Sequence, residues 1–239
     1  MAQGPPPEPE LMYNDVWANG PALAVIASLL GPNPCVNFVG GNTLLGNVKG
    51  VRQNVHPDLT FNHGTIPFSC CANVYLSDTT AENGSTELWL GSHRDCSYAD
   101  QQPKVQEPGK PASRFGIKLE LLEERRRFAP PIQPSIPKGS VVIRDLRLWH
   151  AGKPNQTPNP RMILAIVHTA WWYECPGKVV LPESARSLVK QWEKQKYPVR
   201  YNPQYAPEGV DLKKVEFTVN FDSNNEAYRD LLPKMLKYG

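Results

Sequence analysis

The strand-like segments of this chain are short, and residues that favour turns separate them. β-Branched and apolar residues cluster within each segment, while Gly, Pro, Asn and Asp bound it. Proline occurs 25 times among the 239 residues, which is about twice its usual share, and it suits turns and sheet edges better than long helices. Several short strands at this spacing predict a mainly β domain of the double-sheet jelly-roll type. We expect strands over 36–45, 52–61, 68–76, 86–90, 140–148 and 161–172.

Helical patterns flank these strands on both sides. Apolar residues recur there at helical spacing, and Gly31 followed by Pro32 ends the first pattern. We expect one domain over residues 1–239, with a proline-rich, disordered start at 1–10 and a C-terminal helical extension at 176–239. The predicted helices are 14–31 with a break near Gly20, 118–128, 183–195 and 224–237.

Charge and cysteine content exclude several classes of function. The net charge of +3, with acidic and basic residues well mixed, argues against a nucleic-acid or membrane partner. The first residues lack the basic and apolar regions of a signal peptide, and the longest apolar run, 22–30, is far short of a membrane span. We therefore expect a cytoplasmic protein, with free thiols because the cysteine count is odd and no pair has C-x-x-C spacing. The cysteines are Cys35, Cys70, Cys71, Cys96 and Cys175.

A histidine and an aspartate stand two positions apart in the predicted strand 52–61. In a strand, His56 and Asp58 would point to the same face, and Pro57 between them disfavours helix. A neutral imidazole and a carboxylate are two of the three ligands in the 2-His-1-carboxylate site of non-haem Fe(II) oxygenases. A His-x-Asp tripeptide by itself is more often part of a polar surface loop, so the rest of the chain decides between the two interpretations.

His150 is the candidate for the third ligand. By strand alternation it shares a mostly apolar, interior face with Leu148, Leu146, Arg144 and Val142, and a glycine turn follows it. A histidine at the inner end of a strand can reach a metal near the mouth of a barrel. The alternative is a buried histidine bound to one backbone carbonyl.

Arg161 opens the longest strand pattern and shares its face with Ile163, Ala165 and Val167. A cation on an apolar interior face is costly unless it meets an anion. Since the neighbouring sequence offers no carboxylate, we expect a ligand carboxylate there, which the planar guanidinium can bind through two hydrogen bonds.

Four motifs in this order resemble the phytanoyl-CoA dioxygenase family of Fe(II)/2-oxoglutarate-dependent oxygenases. They are Gln53-x-x-His56-x-Asp58, the run Asn83-Gly84 to Gly91-Ser92-His93-Arg94, the segment 138–152 ending in Trp149-His150-Ala151-Gly152, and Arg161. Together they span about residues 50–172. The resemblance implies a cupin-like double-stranded β-helix and an enzyme that uses Fe(II), 2-oxoglutarate and O2.

The resemblance also implies a role for each motif residue. His56, Asp58 and His150 would hold Fe(II), and Arg161 would pair with the C5 carboxylate of 2-oxoglutarate. Gln53 and Thr86 match family positions that contact the cosubstrate. The implied reaction is hydroxylation or desaturation at a C–H bond, with release of succinate and CO2.

The substrate is less well defined by the sequence. Arg144, on the face of His150, would meet a substrate acid or else form a buried salt bridge. Asn73 is a further candidate, and Trp171 would line the cavity or pack in the core. No basic cluster is placed to bind the phosphates of coenzyme A, so we favour a small apolar metabolite, with a fatty acyl thioester as the alternative.

Only 55 residues precede His56, fewer than the family usually has. We therefore keep a non-catalytic or partner-completing subunit of the same fold as the alternative function, and expect a homo- or hetero-oligomer as one possible state. A jelly roll that binds another metal, such as zinc, is a third interpretation, but it leaves Gln53 and Arg161 without a role.

Overall fold

The computed structural model describes residues 2–3, 8–47, 50, 52–105, 113–212 and 220–222. The helices in this part of the chain are α1 (Asn14–Trp17), α2 (Gly20–Leu30), α3 (Leu119–Phe128) and α4 (Arg186–Trp192), with 3-10 turns at Pro9–Leu11, Tyr98–Asp100 and Glu183–Ala185. The strands are β1 (Ala2–Gln3), β2 (Cys35–Leu44), β3 (Ser69–Tyr75), β4 (Glu87–Leu88), β5 (Gln101–Pro103), β6 (Arg114–Ile117), β7 (Val141–Asp145), β8 (His150–Ala151), β9 (Arg161–Thr169), β10 (Val179–Pro182), β11 (Arg200–Tyr201) and β12 (Pro203–Ala206).

One sheet contains the longest strands, in the order β1-β2-β9-β3-β7, with β11 paired to β2. Its pairs are antiparallel except for β11 with β2. Short two-stranded pairs, β4 with β8, β5 with β6 and β10 with β12, complete the described strands. The structure confirms a mainly β fold with flanking helices.

The two faces of the large sheet have different surroundings because successive side chains on a strand alternate. Ala72 on β3 and Ile166 on β9 face α2, whose Leu23 and Ile26 are almost fully buried. The opposite face lines a cavity through the odd-numbered residues 71–75 of β3 and 161–167 of β9. The sheet therefore separates an apolar core from a functional cavity.

Two of the predicted strands, 52–61 and 140–148, differ from the structure where they carry candidate ligands. The segment 52–61 is irregular and makes a single β-bridge, between His56 and His150. The register then changes, since the amide of Asp58 donates to the carbonyl of Leu146 and not to that of Leu148. The strand predicted over 140–148 ends at Asp145 and turns before His150. His150 therefore belongs to β8 and not to the strand that carries Arg144.

The terminal predictions need correction. Within 1–10, expected to be disordered, β1 pairs with β2, and a 3-10 turn begins at Pro9; residues 1 and 4–7 lie outside the described residues. The extension 176–239 is not wholly helical, since β10 pairs in parallel with β12 and satisfies its backbone groups in that way. The predicted helix 224–237 lies outside the described residues.

Among the described residues, every helix is too short or too polar to cross a membrane.

Candidate metal centre and its cavity

A backbone ladder brings the His-x-Asp segment against the chain around His150. His56 and His150 exchange two hydrogen bonds, with N···O distances of 2.9 Å and 3.0 Å, and the amide of Asp58 donates to the carbonyl of Leu146 at 2.9 Å. The amide that follows His56 belongs to Pro57 and cannot donate. The ladder fixes the backbones of all three predicted metal ligands relative to one another.

Both imidazole rings are oriented by carbonyl groups of this ladder. Nδ1 of His56 donates to the carbonyl of Asn54 at 2.7 Å, and Nδ1 of His150 donates to the carbonyl of Leu148 at 2.9 Å. The ring centroids lie 4.6 Å apart. With Nδ1 as the donor, the neutral form of each ring carries its lone pair on Nε2, which is the arrangement that metal-binding histidines use.

The carboxylate of Asp58 completes the cluster. Its Oδ1 lies 3.4 Å from Nε2 of His150, and its Oδ2 lies 2.6 Å from a terminal nitrogen of Arg144. One ligand atom from each of His56, Asp58 and His150 lies within 4.8 Å of the other two. Two imidazole nitrogens and one carboxylate oxygen at this separation fit the donor set that non-haem Fe(II) oxygenases use.

The electrostatic surroundings favour the protonation states that metal binding requires. Burial, followed by the nearby His150, lowers the pKa of His56 to about 4, so this ring is neutral at pH 7. Burial by itself would raise the pKa of Asp58, but Arg144 and the two histidines outweigh it and lower that pKa. The site therefore presents a neutral ring and a carboxylate without needing to release protons from them.

The cavity beside these ligands has a volume of about 540 Å³, within the usual range for small-molecule sites. Arg161 lies on its wall, and only 2% of the residue is exposed. A terminal nitrogen of Arg161 lies 3.4 Å from the carbonyl of Asn42, and its Nε is buried without a partner. Burial lowers the pKa of Arg161. No carboxylate among the described residues pairs with this guanidinium, so it is suited to an anionic ligand.

The predicted cosubstrate residues Gln53 and Thr86 both line the cavity. The amide of Gln53 donates to the carbonyl of Gly152 at 3.0 Å, and its side-chain oxygen accepts from the amide of Gly152 at 2.9 Å. Gln53 therefore links the His56 segment to the His150 segment at the cavity wall.

Tyr75 lines the same cavity, and burial raises its pKa. Sequence reasoning missed this residue, although it lies two positions after Asn73 on β3 and so shares its face.

The three predicted substrate residues have different positions. Asn73 lines the cavity, and its side-chain oxygen lies 3.5 Å from Sγ of Cys71. Arg144 also lines the cavity but pairs with Asp58, which agrees with the alternative of a buried salt bridge. The prediction for Trp171 is wrong: β9 ends at Thr169, the chain turns, and Trp171 is 58% exposed and outside the cavity lining.

A cluster of charged side chains, Arg52, Glu87 and Lys153, joins two chain segments at the edge of the cavity. Glu87 on β4 accepts hydrogen bonds from Nε of Arg52 at 3.0 Å and from the indole of Trp89 at 2.9 Å, and Lys153 lies 3.5 Å away. Arg52 adjoins Gln53, and Lys153 follows the His150 segment. Glu87 therefore links the two chain segments that carry the candidate ligands.

Comparison with protein families gives a match over residues 22–163 to the model described as Phytanoyl-CoA dioxygenase (PhyH). The match covers more than half of the chain. It confirms the resemblance to this family that the four motifs indicate.

Solved structures agree with the fold. The apo form of ThoJ, described as a non-heme monooxygenase, is 17% identical, with 94% of this chain and 72% of that chain covered and a TM-score of 0.53. This likeness confirms the predicted jelly-roll fold.

Further solved structures are similar over part of the chain. EctD from S. alaskensis, with 2-oxoglutarate and 5-hydroxyectoine, is 23% identical over 64% of this chain and 54% of that chain, with a TM-score of 0.45. The epimerase SnoN, with Fe3+, alpha ketoglutarate and nogalamycin RO, is 18% identical over 67% and 59%, with a TM-score of 0.49. The chain spans only 30% of EvdMO1 and 61% of AviO1, two further similar structures.

Proposed function

The chain belongs to the phytanoyl-CoA dioxygenase family, and we propose that it oxidises a C–H bond of a small molecule at the site formed by His56, Asp58 and His150. The reaction consumes 2-oxoglutarate and O2 and releases succinate and CO2. The observation that supports this proposal is the convergence of three ligand atoms within 4.8 Å, beside a cavity lined by Arg161, which pairs with no carboxylate among the described residues.

The protein's contribution is the orientation of its ligands. His56, His150 and Asp58 would hold the ion, and the adjoining cavity would leave space beside it for the cosubstrate. When bound, Fe(II) supplies the redox chemistry that couples oxidative decarboxylation of 2-oxoglutarate to oxidation of the substrate. The ladder between the two histidines holds the rings in place beforehand, so little reorganisation accompanies binding.

Arg161 fixes the far carboxylate of 2-oxoglutarate. A guanidinium that is 2% exposed binds an anion in surroundings of low dielectric constant, where a charge-assisted, two-point contact is strong. Tyr75 and Thr86 line the same cavity, and we propose that they contact the cosubstrate there. Orientation of the cosubstrate by its far end directs its 2-oxo acid end towards the ligands.

The substrate that we propose is a small apolar metabolite. The cavity of about 540 Å³ has to hold 2-oxoglutarate as well as the substrate, which favours a small molecule. Phe38, Val142, Ile163 and Val167 give its wall an apolar surface, and Asn73 offers an amide for a polar substituent. A fatty acyl thioester is the alternative, with its head group outside the cavity.

The test is succinate formation by purified protein with Fe(II), 2-oxoglutarate and O2. The wild type forms succinate, whereas Asp58→Ala forms none because it lacks the carboxylate ligand. Asp95→Ala, which removes an exposed aspartate outside the cavity, serves as the matched control and retains the activity. Equal succinate formation by Asp58→Ala and wild type would refute the proposal.

A non-catalytic or partner-completing subunit is the second candidate, since the chain spans less than two thirds of several similar proteins. Binding of Fe(II) and 2-oxoglutarate without succinate formation would support it. Measurement of mass by light scattering, with and without these ligands, shows whether the chain forms a homo-oligomer.

A further inference from the structure

The two carboxylate oxygens of Asp58 have different neighbours. Oδ2 lies 2.6 Å from a terminal nitrogen of Arg144, whereas Oδ1 lies 3.4 Å from Nε2 of His150. A contact of 2.6 Å between a guanidinium and a carboxylate is a strong, charge-assisted hydrogen bond. Oδ2 is therefore already engaged, and Oδ1 is the oxygen that lies beside the imidazole of His150.

One short stretch of chain holds both the backbone and the side chain of Asp58. Arg144 belongs to β7, next to the last residue of that strand, and its side chain is 11% exposed. Two residues later, the carbonyl of Leu146 accepts the amide hydrogen of Asp58 at 2.9 Å. The position and the rotation of the carboxylate are thus set from the same side of the cavity.

The number of oxygens that Asp58 gives to the ion has a chemical consequence. A carboxylate can bind a metal through one oxygen or through both. With one oxygen from Asp58 and one nitrogen from each histidine, a chelating cosubstrate still leaves an open position on an octahedral ion. If Asp58 used both oxygens, that position would be filled.

On these grounds we infer that Arg144 is a positioning residue, which engages Oδ2 of Asp58 and so restricts this ligand to a single oxygen. The inference rests on the proposed function, since it assumes that the ion binds at His56, Asp58 and His150. Arg144 acts through Asp58 and keeps one coordination position of the ion available for the reaction.

A substrate-binding role for Arg144 is less consistent with the contacts. One of its terminal nitrogens is engaged by Asp58, and the other, Nη1, is buried without a partner. Because Nη1 has no exposed surface, a substrate would reach it only after the side chain moved. The salt bridge with Asp58, in contrast, requires no movement of the Arg144 side chain.

The test compares Mn(II) affinity in wild type, Arg144→Met and Arg144→Lys. Loss of a residue that orients a metal ligand usually weakens metal binding roughly 10–100-fold, and we expect this for Arg144→Met. Arg144→Lys keeps a cation near Oδ2 and should recover part of the affinity. Arg186→Met is the control, because Arg186 also pairs with an acidic residue, Glu183, but lies outside the cavity lining; its Mn(II) affinity should equal that of wild type.

A crystal structure of the wild type with Mn(II) decides the question even if a variant does not fold. We expect Oδ1 of Asp58 on the ion and Oδ2 on Arg144. Binding of both oxygens to Mn(II), or wild-type affinity in Arg144→Met, would overturn the role of Arg144 while the metal site stands. Failure of the wild type to bind Mn(II) or Fe(II) would overturn the proposed function as well.

Discussion

The main chains of His56 and His150 form an antiparallel pair that exchanges two hydrogen bonds, at 2.9 Å and 3.0 Å. Two residues far apart in sequence thereby become adjacent. The carbonyls two residues earlier in each segment, those of Asn54 and Leu148, accept hydrogen bonds from the Nδ1 atoms. The orientation of both rings is therefore a property of the folded backbone. A site prepared in this way can bind an ion without rearrangement of its ligands.

Replacement of Arg161 by methionine should weaken 2-oxoglutarate binding. Hydrogen bonds to charged groups contribute about 1.5–3 kcal/mol, so we expect roughly a 10–100-fold lower affinity in anaerobic titration. The same change should raise the melting temperature of the protein without cosubstrate, because it removes a buried cation that has no carboxylate partner among the described residues. Arg186→Met, at an exposed pair with Glu183, is the control and should change neither quantity. An unchanged affinity in Arg161→Met would contradict the assigned role.

Replacement of Glu87 by glutamine should destabilise the fold. The side chain of Glu87 is 9% exposed and pairs with Arg52, so removal of its charge leaves that cation without its partner. We expect the free energy of unfolding to fall by about 1–3 kcal/mol in urea denaturation. Glu123→Gln, at an exposed pair with Arg126, should change it by less than about 0.5 kcal/mol. Equal effects of the two substitutions would show that the Glu87 cluster does not stabilise the cavity edge.

Burial of His168 predicts a loss of stability in acid. Its pKa falls from 6.5 to about 4 because burial disfavours the charged ring. The unfolded chain takes up this proton near pH 6.5 and the folded chain only near pH 4, so stability decreases as the pH falls through that interval. At about 1.4 kcal/mol per pKa unit, the loss is about 3 kcal/mol. The difference between wild type and His168→Met isolates this residue; parallel curves of stability against pH for the two proteins would contradict the prediction.

Two glycines with the same backbone conformation should respond differently to alanine. Gly84 and Gly139 have φ angles of +87° and +84°, so alanine costs about 1 kcal/mol at either position. A Cβ at Gly84 would also lie 2.7 Å from the carbonyl oxygen of Lys153 and from the side chain of Leu44, whereas one at Gly139 meets nothing within 4 Å. Gly84→Ala should therefore lower the free energy of unfolding by more than Gly139→Ala. Equal losses in thermal or urea unfolding would show that the contact with Lys153 is unimportant.

The sequence predicted which ligands come together more accurately than it predicted the local structure around them. His56 and Asp58 were placed on one face of a strand, but the segment is irregular and makes a bridge only at His56. The two side chains still converge because each backbone amide bonds to the segment around His150. The extended backbone and its hydrogen bonds to the His150 segment therefore bring the two side chains together without a continuous strand.

The remaining differences come from contacts that a single sequence does not contain. The family resemblance puts Trp171 at an aromatic position of the cavity. In the structure, β9 ends at Thr169 and the turn that follows leaves the indole exposed. Tyr75 lines the cavity, but an aromatic residue near the end of a strand is commonly part of the core, so its residue type does not distinguish the two positions. β10 and β12 pair in parallel, which requires the crossover connection that contains α4. The alternation of apolar and polar residues within one strand does not indicate such a connection.

The most direct measurement is anomalous X-ray scattering at the iron edge from crystals grown anaerobically with Fe(II) and 2-oxoglutarate. The account predicts one anomalous peak within bonding distance of Nε2 of His56, Nε2 of His150 and Oδ1 of Asp58, with a 2-oxoglutarate carboxylate on Arg161. A peak elsewhere, or crystals of well-folded protein that bind no iron, would contradict the assignment of this centre.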